Sequence, residues 1–179
     1  MEDLGWQKVV EWMEKYGNRI IRVVYLLVND YHLAEEITQE VFIQAYNSLE
    51  SFRGESSPYT WLYRIALNLS KNYLKRKERI SFLPFKEEAG EEDILTEPVE
   101  EQVIKLVAGH RVRECVGQLP LAYREVIILY YYDGLKIAEI AGVLEQPVGT
   151  VKSKLSRGRE LLEKIFRKEG LGDEEGRGV

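Results

Sequence analysis

The stretch that most constrains this chain is residues 59–75, YTWLYRIALNLSKNYLK. At about 100° per residue it wraps into a helix with two unlike sides. One stripe carries Trp61, Arg64, Ile65, Asn68, Lys71, Asn72 and Lys75, with no acid among them. The other carries Leu62, Tyr63, Ala66, Leu67, Leu69, Tyr73 and Leu74, wide enough to seat the helix on a core. On the first stripe, cations neutralise phosphates, carboxamides read base edges and an indole stacks on an unpaired base. That mixture suits single-stranded or melting DNA better than a closed duplex. An ordinary surface helix with one half-buried Trp has the same pattern, so the rest of the chain must decide.

Helical periodicity recurs on both sides of this stretch. Over 6–28, Trp6, Val9, Val10, Met13, Tyr16, Ile20, Val23, Val24 and Leu27 fall at three- and four-residue steps, with Gly17-Asn18 as a kink or short turn. A second helix spans about 32–49. Its buried side is Leu33, Ala34, Ile37, Val41, Ala45 and Leu49; Glu35, Glu36, Gln39, Glu40, Ile43, Tyr46 and Asn47 lie opposite. Acids interleaved with Ile43 and Tyr46 suggest a protein-docking face, since a purely solvating face has no use for those apolar groups. A turn-rich loop, 50–58, follows. Pro58 is placed to begin the next helix with Ser57 or Ser56 as its cap, and Phe52 and Arg53 stand beside the Trp61–Asn68 stripe, placed to wall a pocket for a flipped base.

Past Arg79 the pattern gives way to a short apolar patch with Pro84, then to residues 86–101, which hold eight acids against Lys86 alone. This reads as a flexible linker. Helical phase resumes near 102 and carries Cys115 as a small buried hydrophobe; Leu119-Pro120 ends that helix, and Tyr123 to Tyr132 forms the next, stopped by Asp133-Gly134. Ile137 to Ala141 is then a short helix, residues 143–147 turn the chain, and Val148 opens a long final helix. Two helices joined by a tight turn, the second polar and basic at its start, make a helix-turn-helix pattern. Val151, Leu155, Gly158 and Leu162 face inward. Ser153, Ser156 and Arg157 lie opposite, flanked by Thr150, Lys152, Lys154 and Arg159, where base edges and phosphates of a major groove would be met.

The net charge of −5 is unevenly placed. Residues 71–79 hold five bases against Glu78, and 109–168 hold eleven bases against seven acids; the tail 169–179 holds four acids against Arg177. Basic modules separated by an acidic strap are compatible with nucleic acid despite the total. One cysteine and two distant histidines exclude an intramolecular disulfide and a thiolate zinc site, and no cofactor is expected. No Gly-rich phosphate loop or placed nucleophile points to an enzyme or a small-molecule substrate. The polar start of the chain lacks a secretory signal and no apolar run approaches a bilayer span, so a cytoplasmic protein without membrane insertion is expected.

Four segments together resemble the extracytoplasmic-function (ECF) sigma factors of bacterial RNA polymerase, within the sigma-70 family. They are AEEITQEVFIQAY at 34–46, FRGESSPYTWLYRIALNLSKNYL at 52–74, LPLAYREVIILYYYDGL at 119–135 and EIAGVLEQPVGTVKSKLSRGRELL at 139–162. The resemblance implies an all-α fold of two small helical domains joined by a flexible acidic linker, the second containing the helix-turn-helix. It divides the chain into region 2 at 1–79, a linker at 80–101, region 4 at 102–168 and a flexible tail at 169–179. It implies docking on the clamp of the largest polymerase subunit through Glu35, Glu36, Gln39, Glu40, Ile43 and Asn47, with the flap of the second subunit as a further contact. Melting of the minus-ten element maps to Ser48, Phe52, Arg53, Trp61, Arg64, Ile65, Asn68, Lys71, Asn72 and Lys75. Reading of the minus-thirty-five element maps to Thr150, Lys152, Ser153, Lys154, Ser156, Arg157 and Arg159. Promoter DNA and an anti-sigma factor are the other partners the family implies.

Three positions depart from the family pattern. Lys136 stands where Ser or Thr caps the first motif helix, a loss of roughly 1 kcal/mol. Glu145 occupies the turn position where Gly is usual, and a left-handed Glu there costs up to about 1–2 kcal/mol. Pro58 replaces an aromatic or other large residue beside the base-trapping loop. The competing function is a stand-alone helix-turn-helix regulator, which would bind closed duplex without polymerase and tolerate Trp61→Ala.

Overall fold

The computed structural model describes residues 4–81 and 100–171, and every regular element among them is helical. Seven α-helices follow in order: α1 Leu4–Val28, α2 Tyr31–Asn47, α3 Pro58–Ser81, α4 Glu100–Gly117, α5 Leu121–Ile127, α6 Ile137–Leu144 and α7 Val148–Lys168. A 3-10 turn occupies Leu49–Ser51 and a π-helical turn Ile128–Tyr132. The acidic linker expected over 80–101 lies almost wholly outside the described residues, and so does most of the tail; α4 already begins at Glu100.

α1 runs unbroken for 25 residues. Gly17 introduces no kink, because the apolar phase continues straight across it, from Trp12 to Ile20, Val23 and Val24 on the buried side. The helix ends at Asn29, whose left-handed φ of 53° suits a short polar side chain. Asp30 then caps α2, its carboxylate accepting the Leu33 N–H at 3.0 Å. Ser57 does the same for α3, accepting from the Thr60 N–H at 3.1 Å, with Pro58 at the first helical position. The helix continues to Ser81, two residues past the point where periodicity weakened.

The segment expected as one helix over 123–132 is two kinds of helix. α5 closes at Ile127 and the chain widens into a π turn, in which the Asp133 N–H reaches Ile128 O at 3.0 Å. Gly134, at φ 72°, ends it. α6 runs three residues further than its sequence suggested, taking in Val143 and Leu144. Its start is only half capped. The Glu139 carboxylate accepts the Lys136 N–H at 2.7 Å, but the Lys136 ammonium has no lone pair to offer in return. Glu145 closes α6 at φ 53°, in the left-handed conformation its sequence position foreshadowed.

α1, α2 and α3 pack into one bundle around Ile20, Ile37, Leu62 and Tyr63. α5, α6 and α7 form a second cluster around Leu129, Ile140 and Val151, where α7 comes so close to α5 that a Cβ on Gly158 would sit 3.0 Å from Ile127 Cγ1. The buried apolar side chains of both clusters form one continuous core. α1 meets α4, α5 and the π turn, and α3 meets α6. Arg124 fastens the junction: its half-buried guanidinium donates to Leu27 O at 2.6 Å, to Leu119 O at 2.9 Å and to Gly117 O. These carbonyls, at or just beyond the ends of α1 and α4, would otherwise lack partners.

Replacing Lys136 with Ser supplies the missing acceptor at the start of α6. Lys136→Ser is expected to stabilise the protein by about 1 kcal/mol, raising the melting midpoint by about 2–4 °C by circular dichroism. An unchanged or lower midpoint would show that the Glu139 contact already satisfies this helix end.

Candidate nucleic-acid interface

Three surfaces carry the residues singled out in the sequence. On α2, Glu36, Gln39, Ile43 and Asn47 are exposed, while Glu35 and Glu40 are half-buried at the edges of the face. Ile43 is 53% exposed. The apolar part extends further than the sequence indicated. Tyr46 meets Trp6 edge-on at 5.6 Å, and Trp6, which the periodicity of α1 assigned to the scaffold, is itself 54% exposed. A Trp at the fraying start of a helix satisfies the period without having a core to enter, which is why the pattern misplaced it.

The second surface is α3 with its preceding loop. Phe52, Trp12 and Trp61 form an aromatic cluster, with centroids 5.2 Å apart for Trp12–Phe52 and 5.1 Å for Phe52–Trp61. Lys8 stands over Trp12 at 5.2 Å. The indole of Trp61 is thus held by neighbours on two sides. Gly54, at φ 75°, lets the loop curl around this cluster. A cleft of about 560 Å³ results, bounded by residues 50–56 with Trp61 and Arg64. Its walls bring together Phe52, Arg53, Trp61 and Arg64, four of the residues predicted for a base trap. Pro58 leaves the cleft intact. Ser48 stands apart at the end of α2, its hydroxyl donating to Gln44 O at 2.5 Å.

A second cleft of about 270 Å³ lies further along α3, where Trp61, Arg64, Ile65, Asn68 and Lys71 face Val143, Leu144 and Glu145 at the end of α6. Here the stripe is engaged by the other half of the molecule. Arg64 donates from Nε and Nη2 to Gly142 O at 3.0 and 2.8 Å, and its Nη1 lies 3.5 Å from Glu145 Oε1. Lys71 Nζ lies 2.7 Å from Glu125 Oε2, while Lys154 Nζ approaches Oε1 of the same carboxylate at 3.5 Å. Beyond the contact Asn72 and Lys75 are exposed, as is Asn68 at its margin.

The third surface is α7. Thr150, Lys152, Ser153, Ser156 and Arg157 are exposed along one face, as the helical phase required. Lys154 is turned toward Glu125, and Arg159 is drawn aside by the Tyr131 hydroxyl at 2.5 Å, with both Tyr130 and Tyr131 rings within 5.5 Å.

Sequence reasoning missed the acids that bind these surfaces to one another. Asp133, with its side chain 4% exposed, accepts from Arg19 at 3.1 Å and from the Tyr59 hydroxyl, which also contacts Tyr63. Burial, reinforced by the hydrogen bond to Asp133, pushes the Tyr59 hydroxyl well above the usual phenol range, so it remains a donor. Glu125 left a faint trace in the sequence: an acid abutting the apolar run Val126–Leu129, at a position that must turn inward with it. Cys115 is buried as expected, and burial raises its thiol.

The sigma-70 region 2 family profile matches residues 12–80, and the sigma-70 region 4 profile matches residues 109–162. The ECF RNA polymerase sigma factor SigW of Bacillus subtilis is 38% identical over 160 residues, covering 85% of each chain. The ECF RNA polymerase sigma-E factor of Escherichia coli is 39% identical, over 87% of this chain and 82% of that one. Among solved structures, the sigma factor RpoE bound to the anti-sigma factor NepR from Bartonella quintana superposes with a TM-score of 0.69 at 19% identity, over 90% of this chain and 98% of that one. CnrH in complex with the cytosolic domain of CnrY gives 0.68 at 20% identity, over 92% and 90%.

Proposed function

This chain belongs to the ECF sigma factors of the sigma-70 family, and from that premise we propose how its surfaces divide the work of directing promoter-specific initiation by core RNA polymerase. Region 2, over 1–79, docks on the clamp of the largest subunit through Glu35, Glu36, Gln39, Glu40, Ile43 and Asn47. Exposed Ile43 beside carboxylates supports this, since such a patch gains from burial against an apolar, basic partner. Region 4, over 102–168, reads the upstream promoter element through the exposed face of α7 and contacts the flap of the second subunit. The protein itself performs no catalysis. It acts in the cytoplasm, and an anti-sigma protein is its expected regulator.

The observation that carries this division is the cleft at the start of α3. Phe52, Arg53, Trp61 and Arg64 line an open cleft with room for an everted base. An unstacked base loses several kcal/mol of duplex stacking, roughly 1–3 of which a fitted aromatic wall returns. Asn68 adds a carboxamide able to pair with a base edge, and Lys75 and Asn72 continue the track along the displaced strand. Neither module needs strong affinity alone, because mounting both on one polymerase raises the effective concentration of the second contact.

Run-off transcription with purified core polymerase on a promoter library tests the assignment as a whole. No core-dependent transcript, combined with tight binding to duplex DNA by the free chain, would favour a stand-alone regulator instead. Glu40→Lys combined with Gln39→Ala is expected to weaken association with core polymerase; equal recovery of polymerase in a pull-down would remove the docking face. Asn68→Ala is expected to reduce permanganate-reactive thymines in the open complex while leaving closed-complex binding within about twofold, an effect the size of a single exposed hydrogen bond. Arg157→Ala is expected to cost about 1–3 kcal/mol on the preferred upstream element and to relax preference there, as read by competition with scrambled duplexes.

A further inference from the structure

The apolar phase of α1 marks it as scaffold, yet its first turns reach the cleft at the start of α3. Trp12, 4% exposed, meets Phe52 and Trp61 at 5.2 and 6.0 Å between ring centroids. One turn before it, Lys8 is exposed, and its Nζ stands 5.2 Å from the Trp12 ring and 5.5 Å from the Phe52 ring. Phe52 lines the cleft, so this ammonium is one ring away from it. Among the described residues, no carboxylate lies within ion-pair distance of Lys8. The walls of the cleft themselves balance Arg53 and Arg64 against Glu50 and Glu55, and Arg64 already donates to Gly142 O and lies beside Glu145. A base can enter on stacking, but it brings its phosphodiester with it, and that charge needs a cation.

We propose that Lys8, on α1, binds the backbone phosphate next to the everted nucleotide, at the edge of the cleft formed by Phe52, Arg53, Trp61 and Arg64. This rests on the proposed role of that cleft as the base trap. A lysine paired with a carboxylate presents little net charge to a strand. Ring faces attract the ammonium through their quadrupole without cancelling its charge. Lys8 therefore keeps its full charge for an incoming anion. Its methylene stem lies along Trp12 while the head stays in water, which limits where that charge can sit. Trp12 is then a positioning residue, holding Phe52 and Trp61 from behind and Lys8 beside them. The nucleotide is held in two ways at once, its base by the rings of Phe52 and Trp61 and its phosphate by α1. A purely structural Lys8, shielding Trp12 from water, needs the stem alone and makes no use of the ammonium.

The test uses the full chain on core polymerase. A promoter recovered by run-off transcription supplies a fluorescent forked fragment whose minus-ten segment is single-stranded, and its affinity is measured across a range of salt. One single-strand phosphate contact contributes about 0.7 to the slope of log K against log salt. Lys8→Met keeps the stem on Trp12 and removes the charge. It is expected to make that slope shallower by about 0.7, binding about fivefold more weakly near 0.1 M salt with the gap closing toward about 1 M. Lys8→Arg is expected to restore the slope, and Lys164→Met, which removes an exposed charge late in α7, to leave it unchanged. Melting midpoints are taken alongside, with Lys8→Gln as a second neutral variant should Lys8→Met unfold. An unchanged slope in a folded neutral variant overturns the proposal, as does a loss of affinity equal at every salt concentration, which would mark a packing role. Single methylphosphonates along the unpaired strand then locate the contact. Beside the base whose abasic replacement weakens binding most, the neutral linkage is expected to cost the natural chain about fivefold and Lys8→Met nothing further. Equal costs to both chains at every position overturn the contact. If the natural chain gives no core-dependent transcript, the reading of the cleft falls and Lys8 with it; if the transcript is intact and the slopes agree, only the Lys8 contact is lost.

Discussion

Glu125 is the charge on which the junction of the two helical clusters turns. It is 2% exposed and flanked by Lys71 from α3 and Lys154 from α7. An ionised carboxylate that deep is costly unless compensated, and here the compensation comes from both halves of the chain. Separating the halves removes Lys71, and water must then reach the carboxylate in its place. Removing Lys71 alone would leave that carboxylate buried beside the more distant Lys154, so the pair ties α3 to α5 at this turn. An apolar contact alone would let the two clusters slide.

The rest of the junction follows the same logic. Apolar side chains from both clusters merge, which supplies non-directional adhesion. Direction comes from Asp133 held by Arg19 and Tyr59, from Arg124 gathering helix-end carbonyls, and from Arg64 on Gly142 O. The π turn matters here, because it ends at Asp133 and leaves that carboxylate against α1 and α3 while Tyr131 and Tyr132 stay exposed. Arg159, drawn to Tyr131, shows how the same turn also shapes the edge of the α7 surface.

Much of this was legible from residue order. The stripe from Trp61 to Lys75 and the inward set Val151, Leu155 and Gly158 obey helical phase, and phase depends only on near neighbours. The cap of α3 was legible as Ser57 or Ser56 for the same reason, whereas a left-handed Glu145 was suggested only by the family's glycine at that turn. What escaped were the partners of the cations on that stripe. Arg64 meets Gly142 and Lys71 meets Glu125 across long separations in sequence, and no periodicity encodes such a meeting. The π turn escaped because Tyr123–Tyr132 fits a 3.6-residue period well enough to hide one wider turn. Trp6 shows the opposite failure, a residue in phase with a core that does not extend to it.

The departures from the family pattern gain meaning once the partners are known. Lys136 weakens the start of α6, and Glu145 strains its end, so the first helix of the motif is held poorly by its own termini. A helix with weak ends depends on what it packs against. Here α6 leans on α3, and Arg64 takes its Gly142 carbonyl. Because the two halves are joined in one chain, each contact operates at high effective concentration, and ion pairs too weak to hold two separate molecules suffice to add direction to the junction.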